Sequence, residues 1–534
     1  MKIKFKNITT TLLLSAITFT GLTSCDPDDF LDKGSNTILS SEDIAKDVDR
    51  LVIGAYDVLQ WQNLGVNESF KKHIYPIMWQ GIRADDMISQ WNNFWGAGLL
   101  LDDFNLIQPN NSNIEALWSK WFAGVSRANT AITELEKSDI DNKARLIAEA
   151  KFIRAFCYFE LVRSFGGVPL YTENPTAGES VTISRATADA VYTQVENDLR
   201  DAIADLQPRG GTENGRASRG AAQALLAKVH LAQGEYTDVL TYTNAIIASG
   251  EYQLETNYAD NWDYSNEFGI ESVFEVDYRS DLTTDYFEAL GGRAEGNSAY
   301  QVFGYIFNGS NGGFGNGVPR PELISLYDNT DTRKDATFIT PESILENGPQ
   351  SCGCLIFNAD GTVDFSNEAN WLPNSTDTYN YFWLVNNTSW VTRASSRKYT
   401  IPQAIAPTLP TVSQTDANEK VIRYAEVLLM HAEASLFGSG ASPSGQMAFD
   451  MIRNRAYGGM APSLPLTLEN LKLERRKELA TEGWNRFSDL VRWGDAATAL
   501  AFKNFSAGRD ELLPIPQSEI DIVGTEVLPQ NPGY

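Results

Sequence analysis

Apolar residues recur every three or four positions along much of this chain, which is the spacing of one face of an α-helix. The pattern is clear over residues 113–137, where Ile114, Leu117, Trp121 and Val125 fall on one side. The same spacing predicts further helices at 143–165, 187–206, 219–233, 236–249, 419–437 and 444–457. The chain is therefore predicted to be mainly α-helical.

Two of the predicted helices are joined at Gly234-Glu235-Tyr236. This joint resembles the turn between the two helices of a tetratricopeptide repeat. The repeat period is irregular, which indicates a divergent array of helix pairs with insertions. We expect the pairs within about 41–62, 113–249 and 419–457.

Two long regions lack the helical period. Residues 61–112 are rich in Trp, Asn and Gly, and residues 251–410 add Asp and Tyr and contain a strand-like run at 272–276. Long loop-rich insertions in a compact helical protein usually carry function. A charged helix follows at 467–482, and its run Glu474–Glu478 is interpreted as a solvated, internally paired face.

The N-terminus has the three-part layout of a secretory signal. Three lysines precede the apolar stretch Ile8–Leu22, and Leu22-Thr23-Ser24-Cys25 follows it. This ending resembles a bacterial lipobox, in which cleavage exposes Cys25 for acylation. A plain signal peptide cut nearby is the alternative, whereas a spanning helix is disfavoured because the stretch is too short.

The predicted organisation has three parts. They are a lipoprotein signal peptide at 1–24, a lipid-anchored tether at 25–40 and a single domain at 41–534. Multiple acyl chains bind a bilayer at about 0.8 kcal/mol per buried CH2, which is enough for a stable anchor.

The net charge argues against one class of ligand, and the few cysteines limit the possible disulfides and metal sites. The chain has 69 acidic and 43 basic residues and a formal net charge of −26, so it is not expected to bind nucleic acid, which requires a basic surface. Cys157 is predicted to be an inert core thiol. Cys352 and Cys354 are expected to form a small disulfide or to remain free thiols. A metal site is the alternative, but it would need further ligands, and no His or Cys lies beside the pair.

No catalytic, metal or cofactor site is predicted. Asp85 and Asp86 are adjacent in sequence, whereas the two carboxyls of a glycosidase face each other across a bond at about 5 Å or more. The chain has no nucleophile elbow, zinc-binding histidine pair or phosphate loop.

Several short motifs occur in a specific order along almost the whole chain. They are Arg154-Ala155 with Phe165-Gly166-Gly167-Val168-Pro169-Leu170, Ala221–Lys228, Pro321-Glu322-Leu323-Ile324 with Asp331 and Arg333, Arg397-Lys398-Tyr399, Ile422–Leu429 with Glu433-Ala434, Glu474–Leu479, Asp489–Gly494 and Leu513-Pro514-Ile515-Pro516. In this order they resemble the SusD/RagB family of Bacteroidetes outer-membrane lipoproteins.

The resemblance implies a right-handed superhelical frame of tetratricopeptide-like helix pairs that cradles an irregular subdomain with short strands. It also implies a cell-surface lipoprotein that captures oligosaccharides and passes them to a SusC-like TonB-dependent transporter. The acidic residues Asp26, Asp28 and Asp29 resemble the signal that sends such lipoproteins to the outer leaflet.

Carbohydrate binding needs exposed aromatic faces beside groups that donate and accept hydrogen bonds. One segment supplies both, and its candidate binding residues are Trp79, Arg83, Asp85, Asp86, Trp91, Asn92, Asn93 and Trp95. Members of the family have ligand-binding residues at about this place. The alternative for Trp79 and Trp95 is that they pack beneath the loop.

A second candidate segment at 286–307 contributes Tyr286 and Tyr300, with glycines that would let it form a presenting loop. Aromatic residues at 371–390 are held in reserve, whereas Trp118, Trp121 and Trp493 fall on helix faces and are predicted to be core. Two rival functions stay open: a peptide or glycoprotein receptor with an open groove, and a repeat scaffold that binds only proteins.

Overall fold

The computed structural model describes residues 48–60, 76–89, 99–279, 297, 299–300, 317–339, 395–399 and 415–534. Within them the longer helices are α1 Asp49–Tyr56, α2 Ser112–Lys137, α3 Lys143–Phe165, α4 Ala188–Asp205, α5 Arg219–Gln233, α6 Tyr236–Ser249, α7 Tyr424–Phe437, α8 Gly445–Ala456, α9 Leu468–Glu478, α10 Arg486–Arg492 and α11 Gln517–Val523. None of these has the length and apolar composition needed to cross a membrane.

Shorter helical turns connect the longer helices. They lie at Leu99–Asp102, Ala177–Ser180, Pro321–Ile324, Arg333–Thr337 and Ala496–Ala499, and a π-helix covers Ile77–Ile82. The strands are β1 Met87–Ile88, β2 Ser272–Val276, β3 Val318–Pro319, β4 Phe338–Ile339, β5 Ser395–Ser396 and β6 Glu419–Arg423. They form three antiparallel pairs, β1 with β3, β2 with β6 and β4 with β5.

The helix array follows the periodicity closely. Helices α3, α5 and α6 have the predicted bounds, and α2 begins one residue earlier than predicted. Side chains of Asn111, Thr187 and Ser218 accept a backbone N–H at the starts of α2, α4 and α5, which satisfies donors that a helix leaves open. Gly234 ends α5 with a φ of +75°, so the tight α5–α6 joint needs a residue without a Cβ.

The prediction of a helix from residue 419 is wrong in its first five residues. Glu419–Arg423 is the strand β6, and α7 begins only at Tyr424. All five residues of β6 and all five of β2 are buried. When a short run is buried on all sides, its pattern of polar and apolar residues cannot distinguish a strand from a helix. Here the run forms a strand because it pairs with residues 272–276.

Neighbouring helices pack in sequence order. Helix α3 contacts α2 and α4, and contacts continue from α4 to α5, α5 to α6, α6 to α7 and α7 to α8. This order is that of a tetratricopeptide-like array and, with the few short strands, confirms the predicted fold class. One main core runs from the array into residues 77–107 and 484–528, and a smaller one lies between α1, α2 and α3.

The charged run on α9 is buried, so its interpretation as a solvated face is wrong. Glu474, Arg475, Lys477 and Glu478 are at most 5% exposed. Their partners lie far away in the chain. For example, Arg333 donates to Glu474 at 2.6 Å and to Glu478 at 3.1 Å. Burial is tolerated because each charge has an opposite one beside it.

Further arginines complete this buried layer. Arg423 donates to Glu478 at 3.0 Å and to Glu482 at 2.6 Å, and Arg455 donates to Glu271 at 2.7 Å and to Glu478 at 2.6 Å. We call the group the ion-pair cluster. Its members are Glu271, Asp331, Arg333, Arg423, Arg455, Glu474, Lys477, Glu478 and Glu482.

Candidate functional site

The described first part of the candidate glycan segment, residues 76–89, lies against α10 and the C-terminal region. Residues 76–87 are all buried. Trp79 is 2% exposed and belongs to the main core. Its indole therefore presents no face to a sugar, and the alternative of packing beneath the loop is the correct one for Trp79.

Asp85 and Asp86 are engaged by arginines of the C-terminal region. Arg486 donates to both oxygens of Asp85 at 2.7 and 2.9 Å, and Arg476 donates to Asp86 at 2.6 Å. Burial opposes the charge of Asp85, but the hydrogen bonds and charge of Arg486 outweigh it and lower its pKa. Burial raises the pKa of Asp86 despite Arg476.

These contacts correct the prediction that the two aspartates bind sugar hydroxyls. They are 6% and 2% exposed, and their oxygens serve buried ion pairs. Asp85 and Asp86 anchor the segment to the C-terminal region. The sequence alone could not reveal this, because Arg476 and Arg486 lie 390 and 401 positions away.

Arg83 is also a structural residue. Its Nη2 donates to the carbonyl of Asp510 at 2.7 Å, and its guanidinium lies 3.9 Å from the centre of the Phe487 ring. Burial lowers the pKa of Arg83 to about 10. The predicted role as a sugar ligand is corrected, because the side chain is enclosed at 2% exposure.

A clamp of described residues holds the two ends of the segment 90–98. The Ser89 N–H donates to Asp102 Oδ2 at 2.9 Å. Lys503 Nζ donates to Asp102 Oδ1 at 2.5 Å and to the Met87 carbonyl at 2.8 Å. The described residues on the two sides of 90–98 are therefore joined to each other, directly and through Lys503. Trp91, Asn92, Asn93 and Trp95 lie between the clamped ends and outside the described residues.

Tyr300 does not offer a stacking surface. It is 6% exposed, and its ring contacts Tyr264 and Tyr399 edge-on, with centroids 5.9 Å apart in both cases. Burial raises its pKa well above the ordinary value. The prediction for Tyr300 is corrected to an aromatic core contact, while Tyr286 lies outside the described residues.

The other tryptophans, tyrosines and cysteines singled out from the sequence are either buried, half-buried or outside the described residues. Trp118 and Trp121 are core residues as predicted. Trp493 is only half-buried, and its Nε1 donates to Glu433 at 2.8 Å. Cys157 is a buried free thiol, as predicted. Outside the described residues lie Cys25, Cys352, Cys354, Trp371, Tyr379, Tyr381, Trp383 and Trp390.

One group of possible metal ligands occurs among the described residues. Ligand atoms of Glu196, His230 and Glu235 lie within 4.8 Å of one another. Glu196 already accepts from Arg200 at 2.7 Å, and His230 Nδ1 lies 2.5 Å from Glu235 Oε2. Gln233 at the end of α5 also donates to Glu196 at 2.9 Å. Glu196 therefore has protein partners on α4 and α5, and Glu235 has His230.

Comparison with known proteins identifies the class to which this fold belongs. Residues 29–231 match a family model of SusD-like proteins described as "Starch-binding associating with outer membrane", and residues 270–505 match the model of the SusD family. A SusD-like protein of Formosa agariphila is 25% identical over 93% of this chain and 94% of its own length.

Solved structures agree with the family models. A laminarin-binding SusD-like protein is 30% identical, with a TM-score of 0.74 over 92% of this chain and 99% of its own. Surface glycan-binding protein A from Bacteroides thetaiotaomicron in complex with laminarihexaose is 26% identical, with a TM-score of 0.73 over 91% and 99%. The chain belongs to the SusD/RagB family.

Proposed function

We propose that this chain is a cell-surface glycan-binding lipoprotein that captures oligosaccharides and passes them to a SusC-like TonB-dependent transporter. The observation that carries the proposal is the 30% identity to a laminarin-binding SusD-like protein over 92% of this chain. A laminarihexaose complex of a second relative supports the same ligand class. Laminarin is therefore the first glycan to test.

The proposed binding residues are Trp91 and Trp95 for stacking on sugar faces and Asn92 and Asn93 for the hydroxyls, with Tyr286 as a further aromatic. The clamp of Ser89, Asp102 and Lys503 supports this assignment. A binding segment on a fixed base loses less conformational entropy when a ligand binds. The buried Asp85 and Asp86 contribute by fixing that base to α9 and α10.

Calorimetry of the purified protein with laminarihexaose tests the site. We expect Trp91→Ala and Trp95→Ala each to weaken binding by about tenfold or more, equal to about 1.4 kcal/mol. Trp91→Phe should retain part of the affinity because it keeps an aromatic face. Phe437→Ala removes an aromatic side chain that is 53% exposed on α7 and is the matched control.

Unchanged affinity in both tryptophan variants would overturn the site assignment. Failure of the wild-type protein to bind laminarin, starch or other neutral glycans, combined with binding of peptides, would replace the glycan proposal with the peptide-receptor alternative.

Membrane anchoring and the partner need separate experiments. Cys25→Ala should prevent incorporation of a labelled fatty acid and release the protein from the membrane fraction, since anchoring rests on the acyl chains. Affinity purification of the tagged protein from solubilised outer membranes should recover a TonB-dependent transporter. Recovery of the protein without any such transporter would contradict the delivery role.

A further inference from the structure

A cavity with a volume of about 530 Å³ lies between α1 and β2, and none of the described candidate glycan residues lines it. This volume falls within the range of small-molecule sites, roughly 300–1,000 Å³. An adjoining cavity of about 310 Å³ shares Phe274, Glu275 and the loop 214–216 with the first. The two cavities together follow residues 272–277, and we call them the β2 groove. An extended groove of this kind suits an oligomeric ligand better than a compact one.

The loop shared by the two cavities is held in place by several contacts. Gly215 has a φ of +82°, and an ideal Cβ there would lie 3.3 Å from Asp277 Cβ, so the loop approaches the end of β2 closely. Arg216 donates to carboxylates of α1 and α3 at 2.8 and 2.9 Å. The Ala217 N–H donates to the Tyr56 hydroxyl at 2.8 Å. The groove therefore has fixed walls, which lowers the entropy cost of binding.

The first cavity has apolar surface that a ligand can reach. Ile53 on α1 is 52% exposed, and Tyr56, one helical turn further on, is half-buried. The apolar wall is completed by Leu59, Phe274 and Val276. The C–H face of a sugar ring would pack favourably on this wall, because transfer of apolar surface out of water is favourable.

Accessible polar groups lie beside the apolar wall. Asn214 and Asp277 both line the first cavity, and both are exposed. An amide donates and accepts hydrogen bonds, and a carboxylate accepts them. The two side chains therefore match the hydroxyl groups around a sugar ring, each of which can donate and accept.

The charges around the first cavity favour a neutral ligand. The lining has equal numbers of cations and carboxylates, namely Arg50, Arg216 and Arg279 against Asp57, Glu275 and Asp277. The more deeply buried of these are paired within the protein, because Arg216 lies 2.9 Å from Glu149 and Glu275 lies 2.9 Å from Lys420. The lining therefore offers no net charge to attract an ion.

We propose that the β2 groove is a second carbohydrate-binding site, which takes a neutral oligosaccharide. One sugar ring packs against Ile53 and Tyr56, and its hydroxyls exchange hydrogen bonds with Asn214 and Asp277. The inference rests on the proposed glycan ligand class and adds a site to the one proposed in the segment 90–98. A polysaccharide long enough to reach both sites would be held more tightly than a short one.

Gly54 offers a way to fill the first cavity. It lines the cavity from α1, and an ideal Cβ there would meet nothing within 4 Å. Gly54→Phe therefore places a ring in open space without a clash at its Cβ. Gly54→Ala adds only a methyl group and is the matched variant, which should weaken binding far less.

Calorimetry with laminarihexaose in a Trp91→Ala/Trp95→Ala background measures the second site apart from the first. We expect this background to bind laminarihexaose with a dissociation constant of about 1 mM or lower. Adding Gly54→Phe should weaken the binding by about tenfold or more, and adding Ile53→Ala should weaken it severalfold. Ile522→Ala removes a 67% exposed isoleucine of α11 outside the groove and should leave the binding unchanged.

The outcomes separate this proposal from the proposed function. Binding by the wild type that is lost entirely in the tryptophan background would overturn the second site and leave the proposed function intact. Binding that survives in that background but is lost with Gly54→Phe would support the β2 groove.

Two further results would overturn the β2 groove. They are equal affinities of the Gly54→Phe and Gly54→Ala variants in the tryptophan background, and binding of trialanine in place of laminarihexaose. Should Gly54→Phe fail to fold, the comparison of Ile53→Ala with Ile522→Ala decides, and equal affinities there would overturn the proposal. The absence of laminarihexaose binding by the wild type would also overturn it, whereas the proposed function is judged by the wider set of neutral glycans.

Discussion

At the scale of single residues, charge burial is what distinguishes this protein from a simple helical array. Asp85 is 8% exposed at its side chain and receives two hydrogen bonds from Arg486. Removing one member of a buried pair leaves the other charge without compensation. The free energy of unfolding lost when Asp85 is replaced therefore measures how much its ion pairs stabilise the base of the proposed glycan segment.

We expect Asp85→Asn to lower the free energy of unfolding by about 3–5 kcal/mol, because Arg486 and Arg476 would lose a buried counter-charge. Chemical denaturation of the variant and the wild type measures the difference. Glu134→Gln is the control, because Glu134 pairs with Lys137 at an exposed site, where loss of the pair costs about 1 kcal/mol or less. A similarly small cost for Asp85→Asn would show that its ion pairs add little.

A second prediction concerns Glu419 and the pH dependence of the protein's stability. Burial raises its pKa from 4.5 to about 8, while Trp484 Nε1 donates to it at 3.1 Å. Between these two pH values the folded state keeps a proton that the unfolded state has released. Stability contributed by this group therefore falls as pH rises through that window.

Glu419→Gln should remove this contribution, because the amide does not ionise. We expect the variant to become more stable relative to the wild type as pH rises from about 5 to 8. Thermal unfolding of both proteins across that range measures the difference. A constant difference would contradict the raised pKa.

At the scale of elements, the helix array depends on close approach of backbones. An ideal Cβ added to Gly124 on α2 would lie 2.4 Å from Cys157 Sγ on α3 and 3.0 Å from Val58 Cγ1. By contrast, a Cβ added to Gly54 on α1 would meet nothing within 4 Å. The same substitution therefore has opposite consequences on two helices.

We expect Gly124→Ala to destabilise the protein by about 1–3 kcal/mol, because overpacking forces α2 and α3 apart. Gly54→Ala should stabilise it by about 0.5–1 kcal/mol, because alanine is the better helix former. Denaturant unfolding of the two variants provides the comparison. If both variants were more stable than the wild type, α2 and α3 would be able to accommodate the extra methyl group without loss of stability.

At the scale of the whole molecule, the ion-pair cluster joins the helix array to the loop-rich insertions. Glu478 on α9 accepts from Arg333 of one insertion, from Arg423 of β6 and from Arg455 of α8. Burial alone would raise the pKa of Glu478, but Arg455, Arg423 and Arg333 lower it to about 2. Segments separated by up to 145 positions are thus held by one carboxylate.

Glu478→Gln should lower the free energy of unfolding at neutral pH by about 3–5 kcal/mol. The wild-type contribution is present above the ordinary pKa of 4.5 and is lost as pH falls towards 2, so the two proteins should converge in acid. Glu469→Gln, at an exposed position of the same helix, is the control and should behave like the wild type. Denaturation at several pH values decides, and an equal loss at all pH values would contradict the ion-pair explanation.

The sequence by itself determined the helix array. Periodicity and local signals such as Gly234 act over a few residues, so the bounds of α3, α5 and α6 could be predicted without tertiary information. The ordered motifs were sufficient to recognise the family. These motifs include Arg333, Arg423 and Glu478, members of the ion-pair cluster, whose burial no local pattern reveals.

Only the tertiary structure decided which polar and aromatic residues are exposed. Trp79, Asp85, Asp86 and Tyr300 have the residue types of a sugar site, yet contacts with residues distant in the chain bury them. Glu419–Arg423 became a strand because β2 was available to pair with it. The physical reason is the same in each case: burial depends on partners brought together by folding, whereas periodicity reports only on neighbours along the chain.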